Sequence, residues 1–252
     1  MSDQQFVAWG WRLPFLFSIV LVIVGLWIRF TLAESPEFQK VKDSKQEVRM
    51  PIIDAIRMYP KNILLAMGAR FAENGFFYIY ATFVLAYATQ ALGMNRQDIL
   101  NGVLIAAFIE SFTIPAFGAL SDKLGRRPVY IFGAVFSALM SFPLFMLLGT
   151  KTPQLAWIAI TLGLAVGHAA MYGPQASFLS ELFGTKVRYS GVSLGYNLAS
   201  IFAGALSPLI ATGLMTAYKP ETWPISLYMI LLAVITVVSV YFATETRKSA
   251  KA

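Results

Sequence analysis

The sequence predicts an all-α protein that crosses a membrane several times, and three observations predict it. Of 252 residues, 57% are hydrophobic and only 13% charged, whereas a soluble domain carries about 25% charged residues. A soluble chain of this composition would expose large apolar patches and aggregate. The apolar residues also gather in seven blocks of roughly twenty, the length of helix that spans a ~30 Å hydrocarbon core. Finally, the blocks lack the alternation of apolar and polar residues that marks transmembrane β-strands, which are only about 9–11 residues long.

In chain order the blocks run Leu13–Leu32, Ile63–Ala88, Gly102–Leu120, Val129–Leu148, Leu155–Ser177, Val192–Leu214 and Ile225–Tyr241. Pro115, Pro143, Pro174 and Pro208 fall inside four of them, which membrane helices tolerate. The N-terminal stretch MSDQQFVAWGWRLPF lacks the basic segment that opens a secretory signal, so the first block is expected to be a retained span. The connection Glu34–Lys61 is long and charged. Its MPIIDAIRMYP places Ile52, Ile53 and Ile56 opposite Asp54 and Arg57, as on a short interfacial helix. A merely solvated linker fits this segment equally well. The expected organisation is therefore a first span (1–33), a linker with a short helix (34–61), a six-helix bundle (62–243) and a tail (244–252). The six later spans divide into triplets, about 63–148 and 155–241, as an inverted repeat would.

The net charge of +7 would suggest nucleic acid in a soluble protein. Here the basic residues sort by side instead. With the connection after the first span on the cytoplasmic face, fifteen Lys and Arg are cytoplasmic and only Arg12, Arg96, Lys151 and Lys219 lie opposite. By the positive-inside rule the N-terminus is outside and the C-terminus inside. The expected setting is a multi-pass protein of the plasma (cytoplasmic or inner) membrane, with the bilayer rather than nucleic acid as partner. Cysteine is absent and His168 is the single histidine, so neither a metal centre nor another cofactor is expected. The motifs GxxxxGKS/T, HExxH, GxSxG and GxGxxG behind a strand are absent, which argues against an enzyme and against an ATP-driven pump.

Ionisable side chains inside spans cost at least ~2.5–3.5 kcal/mol on insertion scales, so each needs a reason. In GARFAENGFFYIY, helical spacing puts Arg70, Asn74 and Tyr78 on one face with Glu73 beside it. Either Arg70 and Glu73 neutralise each other and lock the helix, or the stripe lines a water-filled path. Glu110 sits mid-span without a basic neighbour on its own helix. A carboxyl away from water is stabilised in its neutral form, which suits a group that takes up and releases protons. The alternative is a permanently protonated or paired structural carboxyl, for example one facing Arg70 across the bundle. His168, Tyr172 and Gln175 form another stripe beside Gly173 and Pro174, with packing or contact to ligand and protons both open. Ser193, Asn197 and Ser200 form a third, favouring hydrogen bonds between helices over substrate contact. Gly163 and Gly167 have the spacing of close helix packing.

One loop carries a more specific signal. Gly118-Ala-Leu-Ser121-Asp122-Lys123-Leu-Gly125-Arg126-Arg127-Pro128 sets one carboxylate and three cations at a cytoplasmic helix corner. It serves either as an anchor or as a latch whose ion pairs form in one state and break in another. GALSDKLGRRP resembles the GxLSDRxGRRP loop of the major facilitator superfamily, in its second copy between helices 8 and 9. GWRLPFLFSIVLVIVGLWIRFTLAESPEF resembles helix 6 and the following linker of the metabolite:proton symporter family, which includes transporters for shikimate, α-ketoglutarate and proline or betaine. MYGPQASFLSELFGTKVRYSG resembles its helix 10 and the next loop, and SLGYNLASIFAGALSPLIAT its helix 11.

The resemblance implies that the blocks are helices 6 to 12 of a twelve-helix protein, six of them forming the C-terminal bundle of the fold. It also implies alternating access, with substrate held between two six-helix halves. Glu110, Glu73 and His168 become proton-coupling candidates, and Arg70, Asn74, Tyr78, Tyr172, Gln175 and Asn197 substrate-pathway candidates. The family pattern pairs the loop cations with Glu181 and puts Arg188 at the matching basic position. The expected function is secondary active, proton-coupled symport of a small carboxylate or zwitterionic metabolite. The partners are substrate, protons and a first half (helices 1 to 5) supplied in cis or in trans. The alternative is a non-transporting partner that assembles with another transporter chain.

Overall fold

The computed structural model describes residues 2–31 and 51–246, and every regular element among them is helical. Residues 32–33 of the expected first span, 34–50 of the expected linker and 247–252 of the expected tail lie outside the described residues. The chain divides into two units, Met1–Glu47 and Val48–Ala252.

In the first unit, α1 (Asp3–Ala8) starts at Ser2, whose hydroxyl accepts from the Gln5 amide while Gln5 Oε1 accepts from the Ser2 amide. These reciprocal bonds satisfy donors that a helix start leaves unpaired. A 3-10 turn, Gly10–Arg12, leads into α2 (Leu13–Thr31). The run Gly10–Thr31 has 22 residues, about 33 Å of helix. No residue of α2 is buried, and apolar side chains cover it on all sides, the pattern of a helix solvated by hydrocarbon.

The second unit contains α3 (Pro51–Met58), α4 (60–90), α5 (Arg96–Leu124), α6 (Arg126–Gly149), α7 (Pro153–Glu181), α8 (Arg188–Ala217) and α9 (Trp223–Phe242). The helices outrun the apolar blocks by up to about two turns, because backbone hydrogen bonding continues after the side chains turn polar. In α3, Ala55 is buried, while Ile52, Ile53 and Ile56 stay exposed.

Among the described residues six helices are long and apolar enough to cross a membrane: Gly10–Thr31 and α5 to α9. The remaining expected span, α4, is not among them, because Arg70, Glu73 and Asn74 interrupt its apolar run. Its neighbours make up the difference. Ala66, Ala69, Ala72 and Phe76 are fully buried, and α4 packs against α8 and α9. The face that a helix packs against other helices needs no lipid-compatible surface.

Small residues set the spacing. Gly68 of α4 lies against Ser239 of α9. Beside it the Thr236 hydroxyl donates to the Gly68 carbonyl at 2.9 Å and accepts from the Ala72 amide at 2.8 Å. Gly167 lies against Ser137 of α6, and Gly163 against the Tyr80 ring of α4, so the two glycines of GLAVG serve different partners. Three helices loosen into π-turns, Ile79–Phe83 in α4, Gly163–His168 in α7 and Ser200–Ala205 in α8. Such turns concentrate at functional sites.

At Gly133 of α6, a methyl group would stand 2.8 Å from the Gly167 carbonyl oxygen and 2.8 Å from Met171 Cγ. Gly133→Ala is therefore expected to force α6 and α7 apart and to destabilise the bundle by about 1–3 kcal/mol, the range for overpacking. Thermal unfolding in detergent followed by circular dichroism measures this, and an unchanged midpoint would rule out tight α6–α7 contact here.

Candidate functional site

The charged residues of the spans converge on one cavity. It has a volume of about 350 Å³ and is lined by Arg70, Glu73, Asn74, Phe77, Tyr78, Glu110, Ile114, His168, Tyr172 and Tyr196. α4 supplies five of these because residues three, four and eight apart share a helical face. α5 contributes Glu110 and Ile114, α7 His168 and Tyr172, and α8 Tyr196.

Within the cavity four ionisable groups form a chain. Arg70 Nε donates to Glu73 Oε2 at 2.9 Å. Glu73 Oε1 lies 3.3 Å from His168 Nε2, and His168 Nδ1 lies 2.5 Å from Glu110 Oε1. All four residues are buried. Arg70 Nη1 also donates to the Tyr196 carbonyl (3.1 Å) and to Ser200 Oγ (3.2 Å), and its guanidinium carbon lies 3.3 Å from the Tyr196 ring centroid. Asn74 Nδ2 reaches the same Ser200 oxygen at 3.4 Å. His168 sits between the rings of Phe77 (5.2 Å) and Tyr172 (5.3 Å).

Arg70 and Glu73 pair with each other and also face a cavity. Glu110 faces His168 rather than Arg70, a contact that fits a structural pair and a coupling role alike. The side chain of Glu73, one turn after Arg70, takes the intervening place. Two pathway candidates are not in the cavity wall. Gln175 is buried, and its amide donates to the Tyr130 hydroxyl at 3.0 Å. Asn197 is exposed and folds back to the Ser193 carbonyl at 2.8 Å. The face of α8 that meets Arg70 is set by Tyr196 and Ser200, four residues apart, and Asn197 is turned about 100° from Tyr196. Sequence reasoning missed Tyr196, whose only signal is its i,i+4 spacing to Ser200.

At the far end of α5, the corner residues separate into two networks. Ser121 is buried and accepts from Arg126 Nη1 at 2.7 Å. Arg126 also pairs with Asp122 at 2.5 Å and with Glu181 at 3.5 Å. Arg127 turns the other way, donating to the carbonyls of Val240 (Nε, 3.0 Å) and Tyr241 at the end of α9. It does not share the Glu181 pair that the family pattern suggests for the loop cations. Arg188 donates to Phe183 O and Thr185 Oγ1 at the start of its own helix.

Gly118 faces Gly173 of α7, where the two backbones approach closely. Gly125 adopts φ +113°, a conformation that favours glycine. Glu245 was not singled out in the sequence. Its carboxylate accepts from the backbone amides of Arg126 and Arg127, both at 3.1 Å, an anion at the positive end of α6. Thr246 hydrogen-bonds Glu181, so the segment after α9 ties to the ends of α6 and α7. Among the described residues no cluster of His, Asp and Glu has the makings of a metal site.

Burial makes the Arg70–Glu73 pair costly to break from one side. Arg70→Ala takes from Glu73 its closest cation and is expected to cost about 3–5 kcal/mol of stability, and an apolar replacement of both residues much less. A double-mutant cycle of thermal midpoints tests this. Additive losses would mean that the two charges are independent.

Residues 5–204 match the family model described as Major Facilitator Superfamily. The chain is 34% identical to the shikimate transporter of Escherichia coli and 35% identical to that organism's inner membrane metabolite transport protein YhjE. Each match covers 98% of this chain and 57% of the relative. A proline/betaine transporter of Salmonella typhimurium is 28% identical over 98% of this chain and 50% of its own length. The chain thus spans little more than half the length of these relatives. Their names point to a transporter and not to an enzyme. No solved structure matches the chain.

Proposed function

The chain belongs to the major facilitator superfamily, and we propose that it is the C-terminal portion of a secondary active transporter. On this reading it moves a small organic metabolite, a carboxylate or zwitterion, together with protons by alternating access. One observation supports the reading above the others. Arg70, Glu73, His168 and Glu110 form a continuous chain of ionisable groups along a cavity between α4 and three helices, α5, α7 and α8, that are long and apolar enough to cross a membrane. Such groups inside a membrane mark ion and proton pathways. The relatives named for shikimate, proline and betaine all handle compounds that carry a carboxylate.

The rest of the cavity wall would come from a first half, helices 1 to 5, in cis or in trans. The competing reading is a partner chain that assembles with another transporter and does not itself transport. Co-expression with a matching first half separates the two, because restored uptake requires a transporting assembly. In that assembly Glu110→Gln is expected to abolish pH-dependent uptake while the protein remains inserted. Uptake by this variant with the pH profile of the unaltered protein would remove Glu110 from the coupling path.

The proposed orientation has the N-terminus outside and the C-terminus in the cytoplasm of a cell with an inner membrane, supported by the one-sided basic residues. In it, the corner formed by Asp122, Arg126 and Glu181 is a cytoplasmic latch. The absence of cysteine permits a direct test by single-cysteine labelling with a membrane-impermeant maleimide. Lys151→Cys is expected to react from outside and Lys123→Cys only after the cytoplasmic face is opened. Asp122→Asn is expected to speed modification of Val187→Cys, a position that is buried here. The reverse labelling pattern would invert the topology, and an unchanged rate at position 187 would leave the corner as an anchor.

A further inference from the structure

The hydrogen-bond inventory of the cavity constrains its protons. A neutral imidazole has one N–H donor and an ionised carboxylate has none. His168 nevertheless presents one ring nitrogen to Glu110 and the other to Glu73. Both contacts are favourable only if the trio holds one proton more than a neutral imidazole and two carboxylates. With that proton on His168, the four groups sum to zero charge, and Glu73 is a carboxylate bound to Arg70.

Arg70 is the second half of the constraint. Its Nε is taken by Glu73, its Nη1 by Tyr196 and Ser200, and one face of the guanidinium by the Tyr196 ring. Nη2 makes no hydrogen bond to any described residue, although Arg70 is only 2% exposed and lines the cavity. Guanidinium recognises carboxylates through paired N–H donors. Glu73 occupies the position from which such a pair would be completed.

We propose that Glu73 is an internal competitor for a substrate carboxylate, and that its protonation by way of His168 frees Arg70 to bind that carboxylate. The step balances. A proton from water forms an O–H bond on Glu110. The His168 imidazolium loses its Nε2 proton, which forms an O–H bond on Glu73. The imidazole keeps its Nδ1–H toward Glu110, and the Glu73 hydroxyl now donates to Nε2. Both carboxyls and the imidazole are then neutral, and Arg70 is an uncompensated buried cation. An incoming carboxylate restores neutrality, one proton for each anionic group. The other titratable groups around Glu73 are phenols: Tyr78 of α4, Tyr130 of α6, Tyr172 of α7 and Tyr196 of α8. α9 carries no ionisable group other than Tyr228 and Tyr241.

This inference deepens the transport reading and rests on it only for the choice of site. Its test therefore uses binding and proton uptake, which need no translocation. A chain that fails to transport with a first half, yet binds as described, would overturn the transport reading alone. The full chain, alone and assembled with a matching first half, is titrated in lipid nanodiscs with shikimate and with L-proline, and with methyl shikimate and prolinamide as matched compounds lacking the carboxylate. Binding is followed by equilibrium dialysis and proton uptake by a pH dye in weak buffer.

The expected result is about one proton taken up per carboxylate bound, and an apparent affinity that falls about tenfold per pH unit above the transition. The matched compounds without a carboxylate give neither signal. Glu73→Gln keeps the shape of the side chain and is expected to bind the carboxylate without proton uptake and with a flat pH profile, whereas Arg70→Gln loses binding. Absence of carboxylate-dependent proton uptake by the unaltered chain, both alone and with the first half, overturns the proposal. So does a Glu73→Gln chain, folded by circular dichroism, whose binding remains as pH-dependent. Should that variant fail to fold, the comparison of acid with ester on the unaltered chain decides alone.

Discussion

A guanidinium, an imidazole and two carboxylates buried among apolar helices cannot stand as separate charges. Each would carry a desolvation penalty of several kcal/mol after relaxation, so the helices that bear them must come together. Arg70 and Glu73 lie on α4, Glu110 on α5 and His168 on α7, and the chain of contacts among them joins the three. α8 enters through the Tyr196 carbonyl and ring and through Ser200, all directed at Arg70. The position of every cavity-lining helix is thus tied to one set of buried charges.

That convergence needs close backbones and some freedom in helical pitch. Glycines supply the first, with Gly163 against Tyr80 and Gly204 against the Asn74 amide. The π-turns supply the second. His168 ends one, Ser200 begins another, and the third starts directly after Tyr78. A π-turn inserts a residue and rotates the rest of the helix about its axis, so side chains can meet a cavity that a regular helix would aim past. The same elements that position the site are therefore those able to shift it.

The corner beyond α5 shows how far a motif can be read without its surroundings. Ser121, Asp122, Gly125, Arg126 and Arg127 stand out in the sequence as a turn rich in charge. Which cation meets which acid does not, because that depends on helix ends distant along the chain. Arg126 collects Ser121, Asp122 and Glu181, while Arg127 is drawn to the carbonyls that α9 leaves unpaired at its end. Glu245 was invisible for the same reason. A lone acid in a short tail becomes a cap only when the first amides of α6 are placed beside it.

The sequence by itself determined the helical, membrane-spanning class, the order of the helices and the identities of the buried charges. Those come from hydrophobic run length and from the cost of ionisable groups in hydrocarbon, both local properties. The stripe Arg70, Glu73, Asn74 and Tyr78 was legible because helical spacing alone puts it on one face. Pairings across helices were decided only by tertiary structure. The partner of Glu110 proved to be His168, Tyr196 replaced Asn197 on the cavity face, and Gln175 turned to Tyr130. Helical periodicity states which residues share a face. The rotation and depth at which that face meets its neighbours come from packing, where a single glycine or an inserted residue moves a side chain from the wall to the interior.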